Sequence, residues 1–394
     1  MNLQSDICIV GNGAVGKAAA LGLAQAGLNV QLLVPEATVP AAQPAAWDVR
    51  VYALNQVARS LLTSIKVWDA MDESRIAPVE AMVVHGDGAQ QAGRLSFDAY
   101  GARVNALAWI VEDGNLNCAL DAALRFASGV RVVAGRAVEL RTDAEHALVR
   151  LDNGDTLSAS LVVGADGGQS WVRNQCDISI DYRSYGQRAI VANFSCEQPH
   201  HGAAFQWFAG EQGIIALLPL PGQRVSLVWS APDALADTLL RESPAQLAER
   251  LTALPEQKLG RLQPLQPENI KAFPLALIRP HAITAPRVAL VGDAAHVVHP
   301  LAGHGMNLGF ADVAALIKII GAQTSERDCG SPRLLGQYAR ARKEDILLMQ
   351  LATDGLQRLF AAEIEPVRMA RNAGMSLLNR LPFLKRKLIS HALG

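Results

Sequence analysis

Gly11, Gly13 and Gly16 stand at G-x-G-x-x-G spacing between an apolar run ending at Val10 and an Ala/Leu-rich stretch opening at Ala14. Each glycine has its own task. The first permits a tight turn, the second lets a pyrophosphate approach the backbone, and the third lets a helix pack closely on a strand. The phosphates then meet free N–H groups at the positive end of that helix. The chemistry indicated is retention of a dinucleotide. An acid normally closes the second strand and holds the adenosine ribose. Val34 occupies that place here, and Glu36 follows beyond Pro35. Either Glu36 reaches back or the ribose is held by other means.

Two later segments favour a flavin over a nicotinamide dinucleotide. In LVVGADGGQSWVR an apolar strand runs into Gly164, Ala165, Asp166 and Gly167, with Ser170 and Arg173 behind. In VALVGDAAHVVHPLAGHGMNLGFADVAAL a strand runs into Gly292 and Asp293, and a glycine-rich turn precedes a helix. A carboxylate just past a strand, backed by glycine, can accept a ribityl hydroxyl while the backbone lies close to the ligand. Gly303, Gly305, Met306 and Asn307 set another helix N-terminus against an electron-rich group. Its positive end would stabilise negative charge on a reduced flavin ring.

The elements that must hold these residues follow from periodicity. Residues up to Val34 read as strand, turn, helix and strand. Val51 to Met71 has helical spacing. Ala81 to Phe97 reads as a hairpin, and Asn115 to Phe126 as a helix capped by Asp113 or Asn115. Two strands flank the Asn153–Gly154 turn, and a third covers Leu161 to Val163. Between Cys176 and Phe273, alternation of apolar and polar residues predicts an antiparallel sheet with one covered face, interrupted by a helix over Pro244 to Leu254. Ala311 to Ile320 and the tail from Pro332 read as helical. The nucleotide-binding part is therefore discontinuous, over 1–75, 101–175 and 276–330. Substrate-domain strands occupy 76–100, a substrate sheet 176–275, and a helical region 331–394. The fold class is α/β: a Rossmann-like domain with an inserted β-sheet domain and a helical tail.

Composition narrows the classes. Lys+Arg and Asp+Glu nearly cancel, giving a net charge of −1, which argues against nucleic acid as a partner. Five dispersed cysteines without a CxxC pair read as reduced, buried thiols of a cytoplasmic protein, and no metal site is indicated. No signal peptide or spanning apolar run is evident.

These residues resemble the flavin-dependent aromatic hydroxylases of the para-hydroxybenzoate hydroxylase type, and most closely the UbiH/UbiF-type ubiquinone-biosynthesis hydroxylases. The likeness covers nearly the whole chain: the GxGxxG, DVRVYALN, WIVEDGNLNCAL, GADGGQSWVR, ALLPLP, SLVWSA and, most specifically, GDAAHVVHPLAGHGMNLGFADVAAL. It implies bound FAD, reduced transiently by NADH or NADPH. It implies dioxygen as co-substrate, a flavin hydroperoxide as the oxidant, and a phenol-like, prenylated ring as acceptor. By position, Gly11, Gly13 and Gly16 would hold the pyrophosphate, Arg50 would lie near phosphate or ribityl groups, and Asp166 and Gly167 would touch FAD and the nicotinamide donor. Asp293 would hold the ribityl chain, Pro300 would flank the ring, and Gly303 to Asn307 would cover its pyrimidine edge. Two positions depart from the pattern: Val34 replaces the acid, and His304 stands where glutamine is usual. His304 either donates a hydrogen bond as glutamine does or titrates near neutral pH.

An apolar substrate pocket is expected from AAFQWFAG and GIIALLPLP, with Phe205, Trp207, Leu217 and Leu218 as lining or, alternatively, as sheet core. His296 and His299 are candidates for proton transfer or for structural hydrogen bonding. The basic, leucine-rich end suits a peripheral contact with the inner membrane, docking into a quinone-biosynthesis assembly, or packing on the domain. Competing functions are a soluble aromatic or secondary-metabolite hydroxylase, a non-catalytic FAD-binding subunit and, with no account of the Asp293 segment, an NAD-dependent dehydrogenase.

Overall fold

A computed structural model describes residues 2–35, 46–86, 93–266, 268–299, 303–322, 328–361, 371–372 and 374. Glu36, Pro300 and most of the basic tail lie outside them, and of His304 only the backbone is described. The first strand, Asn2–Val10, runs parallel to Val30–Val34 on one side and to Thr156–Gly164 on the other. Val130–Ala134 extends the sheet beyond Val30–Val34, and Val288–Leu290 extends it beyond Thr156–Gly164. Antiparallel strands Ala137–Thr142 and Ala147–Leu151 lead into Thr156–Gly164. The first strand is apolar without alternation because both its faces are covered. Ile7 and Ile9 pack among the helices, whereas Cys8 and Val10 pack against Val162, Val172 and Leu290.

The second sheet runs Leu262–Pro264, Ile180–Cys196, Arg224–Pro232, Ile214–Leu220, Ala203–Phe208, Ala81–His85 and Arg94–Asp98, with Lys271–Pro280 also paired to Ile180–Cys196. Helices Asp233–Arg241 and Pro244–Thr252 cover one face. Ser243 and Gln246 form a capping box at the start of the second. A third, small sheet joins Val51–Leu54, Ile76–Val79 and Ala108–Glu112.

Several sequence-based boundaries change. Val51–Leu54 is a strand rather than the start of a helix, because it pairs with residues 109–112. The helix begins at Gln56, where the Asn55 side chain accepts from Ala58 N. Neither Asp113 nor Asn115 caps the helix Asp113–Phe126. The Asp113 carboxylate accepts from Tyr52 Oη at 2.6 Å, and buried Asn115 is bonded to the backbone of Asp72. Leu161 to Val163 is the end of one nine-residue strand, Thr156–Gly164. A further helix, Asp233–Arg241, breaks the alternation between Cys176 and Phe273. The helix expected from Ala311 begins at His304 and ends at Gly321, and the tail helix spans Pro332–Ala361. Cys8, Cys118, Cys176 and Cys196 are free thiols. Among the described residues no helix is long and apolar enough to cross a membrane, and no group of metal-ligating side chains occurs.

Candidate flavin site

The carboxyl ends of the first, Thr156–Gly164 and Val288–Leu290 strands converge at one edge, where open parallel sheets bind ligands. Ala165 N donates to Val10 O, and Val291 N to Gly164 O, so the three motifs are laced together. Gly11 sits at φ +120°, and a Cβ there would lie 2.6 Å from Ala165 C and 2.9 Å from Asp166 N, and closer still to Ala165 O. A Cβ on Gly16 would strike the Gly11 carbonyl. These two glycines are required by the protein's own packing. Gly13 differs: its backbone is extended (φ −70°, ψ 171°) and nothing lies within 4 Å of its Cβ position. It precedes helix Ala14–Gln25, which has no side-chain cap. The first N–H groups of that helix therefore face a space that a phosphate fits.

Two carboxylates line the same edge with acceptor capacity unused. Asp166 Oδ2 accepts from Val172 N at 3.0 Å, while Oδ1 is buried with no partner among the described residues. Arg173 fixes this turn by donating to Gly168 O at 2.8 Å and Ala294 O at 3.1 Å, which joins the middle motif to the late one. Asp293 is solvent-accessible yet crowded by protein, as on the floor of a cleft. Desolvation pushes its carboxyl up, and His296 and Arg50 oppose the shift. Arg50 therefore acts on Asp293, and its guanidinium has no ion pair among the described residues; it lies 5.6 Å from the Tyr52 ring centre. Open space also lies before Gly167 (φ +82°) and Gly305. Free helix N–H groups for a pyrophosphate, the accessible Asp293 acceptor for ribityl hydroxyls and glycine clearances along one edge fit FAD.

The chain matches the family model described as FAD binding domain over residues 4–347. It is 36% identical to ubiquinone hydroxylase UbiL of Rhodospirillum rubrum, over 99% of this chain and 90% of the relative. It is 34% identical to 3-demethoxyubiquinol 3-hydroxylase of Escherichia coli, over 100% and 99%. The chain belongs to the UbiH/UbiF-type flavin hydroxylases. The fold agrees with that of PqsL, a probable FAD-dependent monooxygenase of Pseudomonas aeruginosa (TM-score 0.76, 21% identity, 94% of this chain and 100% of that one). It also agrees with Klebsiella pneumoniae HpxO complexed with FAD and uric acid (TM-score 0.73, 18% identity, 98% and 97%).

Several groups of the hydroxylase position others. Asn307 donates to Ala53 O at 2.8 Å and accepts from Asn55 N at 2.9 Å, so its amide fastens the helix His304–Gly321 to the small sheet. His296 is fully buried and donates from Nε2 to Asp312 Oδ2 at 2.6 Å. His299 is fully buried, with Nε2 on Gln187 Oε1 at 3.1 Å and its ring edge-on to Tyr185 at 4.9 Å. Desolvation pushes the pKa of His299 down to about 4. An unfolded histidine takes a proton near 6.5. Between those values the unfolded chain binds more protons, so acidification from pH 6.5 to 4 destabilises the fold by about 3 kcal/mol through this residue. His299→Gln should flatten that part of the melting-temperature profile. An equally steep profile in the variant would show that His299 is not the group responsible.

The four expected pocket residues do not share a face. Strand alternation sends Phe205, Trp207 and Leu217 into the core beneath helices Asp233–Arg241 and Pro244–Thr252, while Leu218 joins the cluster with Ala77, Ile110 and Leu220. A pocket lined by all four is thus corrected: Leu217 and Leu218, as neighbours, point opposite ways. The Leu218 face looks toward the nucleotide motifs, because Asn193 in its row donates to Asp48 O at 2.8 Å. Asp312 and Arg342 escaped the sequence reading. The signal was a single charge, Asp312, inside the otherwise apolar helical run GFADVAAL.

Proposed function

We propose that this chain hydroxylates the aromatic ring of a polyprenylated quinone precursor. The observation that carries this reading is near-full-length likeness to relatives named as a ubiquinone hydroxylase and a 3-demethoxyubiquinol 3-hydroxylase, joined to an edge whose clearances and accessible Asp293 carboxylate fit FAD. Bound FAD, reduced by NADH or NADPH, supplies dioxygen activation. The protein's part is retention, orientation and exclusion of water. Gly11, Gly13, Ala14 and Gly16 form the pyrophosphate turn, Asp293 accepts from the ribityl chain, and Arg50 counters phosphate charge. The sheet face of Leu218, Val191 and Val228 shields the reacting ring.

The test is mass spectrometry of quinone intermediates in cells lacking the chain. An accumulated precursor one hydroxyl short, persisting when Asp293→Ala is supplied and cleared by the natural chain, is the expected result. Unchanged quinones would move the substrate to a soluble aromatic. A yellow protein without substrate-stimulated NAD(P)H oxidation would favour a non-catalytic subunit. A lipophilic substrate also fits the outward row Leu348, Leu351 and Leu359 on the tail helix, followed in sequence by Arg380, Lys385, Arg386 and Lys387. We assign this row to peripheral bilayer contact. Flotation with anionic vesicles should carry the natural chain and leave behind a variant with all three leucines changed to glutamine.

A further inference from the structure

A second cavity, of about 400 Å³, opens on the helix-covered side of the substrate sheet, away from the Leu218 face. That volume is in the range of small-molecule sites. Its wall holds His85, only 5% exposed and stacked on Trp207 with ring centres 5.4 Å apart and planes within 10°. Trp207 is fixed in turn, donating from Nε1 to Pro255 O at 2.9 Å. His85 has no hydrogen bond among the described residues, and the nearest carboxylate oxygen, on Glu256, is 3.6 Å from Nδ1. Arg94, the cross-strand partner of His85, and Lys258 line the same cavity. Neither has an ion-pair partner among the described residues.

Burial lowers the pKa of His85. Glu256 opposes this, and Arg94 and Lys258 deepen it, so both cations act on the ring. His200 is a wall residue only, with Nε2 on Leu220 O and Nδ1 accepting from Gly202 N. Two exposed cations, without ion-pair partners among the described residues, and a buried imidazole line one half-open cavity, with Val83, Ala203 and Phe205 supplying apolar surface. Such a field is relieved by a compact dianion. Glu256 and the Gln198 amide supply acceptors for ligand hydroxyl or amine groups.

We propose that this cavity binds a soluble phosphomonoester about the size of a nucleoside monophosphate. The phosphate sits between Arg94 and Lys258, with His85 as a further donor. The site lies outside the flavin cradle. AMP serves as the probe, titrated by calorimetry into the flavin-loaded full chain, with adenosine as the uncharged control. AMP should saturate a single site that adenosine does not occupy. Arg94→Gln with Lys258→Gln should weaken AMP by about tenfold or more, with flavin absorbance and melting temperature unchanged. Absence of saturable heat with AMP, equal binding of adenosine, or undiminished AMP binding by the double variant would overturn the assignment.

Discussion

Gly11→Ala should yield a colourless, destabilised protein, and Gly13→Ala a colourless protein of undiminished apoprotein stability. At Gly11 two costs combine. A side chain at φ +120° is strained by about 1–3 kcal/mol, and the new Cβ collides with the backbone of Ala165 and Asp166. Backbone cannot step aside as a flexible side chain does, so overpacking adds about 1–3 kcal/mol. The same shift separates the first motif from the second, since Ala165 N donates to Val10 O. At Gly13 neither cost applies: φ is −70° and nothing lies within 4 Å. The methyl group meets only the ligand. Losing two charge-assisted hydrogen bonds of about 1.5–3 kcal/mol each would weaken FAD binding by roughly 10²–10⁴. Flavin-to-protein absorbance and apoprotein melting separate the two. A yellow Gly13→Ala would mean that the phosphates do not approach this turn.

That contrast also marks what was legible in the sequence. Glycine spacing announces itself because its cause is local: a positive φ or a missing Cβ admits few alternatives. The Asp166 and Asp293 motifs were legible for the same reason, each being a strand end followed by glycine. Faces of the second sheet were not. Phe205, Trp207, Leu217 and Leu218 are all apolar, and only the register Phe205↔Leu217↔Leu227 shows which of them share a side. Val51–Leu54 reads as helix in sequence because four residues fit a helical period as easily as a strand; pairing with 109–112 decides it. Asp113 and Asn115 looked like caps because their types suit caps. Their partners, Tyr52 and Asp72, lie 61 and 43 residues away in sequence, and no local rule reveals them.

Asp312 is the most consequential of these distant contacts. Its carboxylate is wholly buried and receives three donors: Gly292 N at 2.9 Å, His296 Nε2 at 2.6 Å and Arg342 Nε at 2.7 Å. Burial pushes its pKa up, but His296 and Arg342 outweigh burial and hold it below the ordinary carboxylate value. One side chain on the helix His304–Gly321 thus fixes the turn that carries Asp293, and a second bond anchors the tail helix through Arg342. Asp312→Ala leaves the Arg342 guanidinium, 4% exposed, with the exposed Asp345 carboxylate at 2.6 Å as its remaining counter-charge. Breaking one partner of such a pair costs about 3–5 kcal/mol. Gly292 N is orphaned as well, so the Asp293 carboxylate drifts and flavin retention falls together with stability. Adding Arg342→Met removes the charge left without a buried partner and should recover a large part of the stability. It should not recover flavin retention, because Gly292 N remains without its acceptor. If the single variant melts with the natural protein, the buried cluster is not what joins the late motif to the two helices. If the double variant regains full flavin content, the bond from Gly292 N to Asp312 is not what places Asp293.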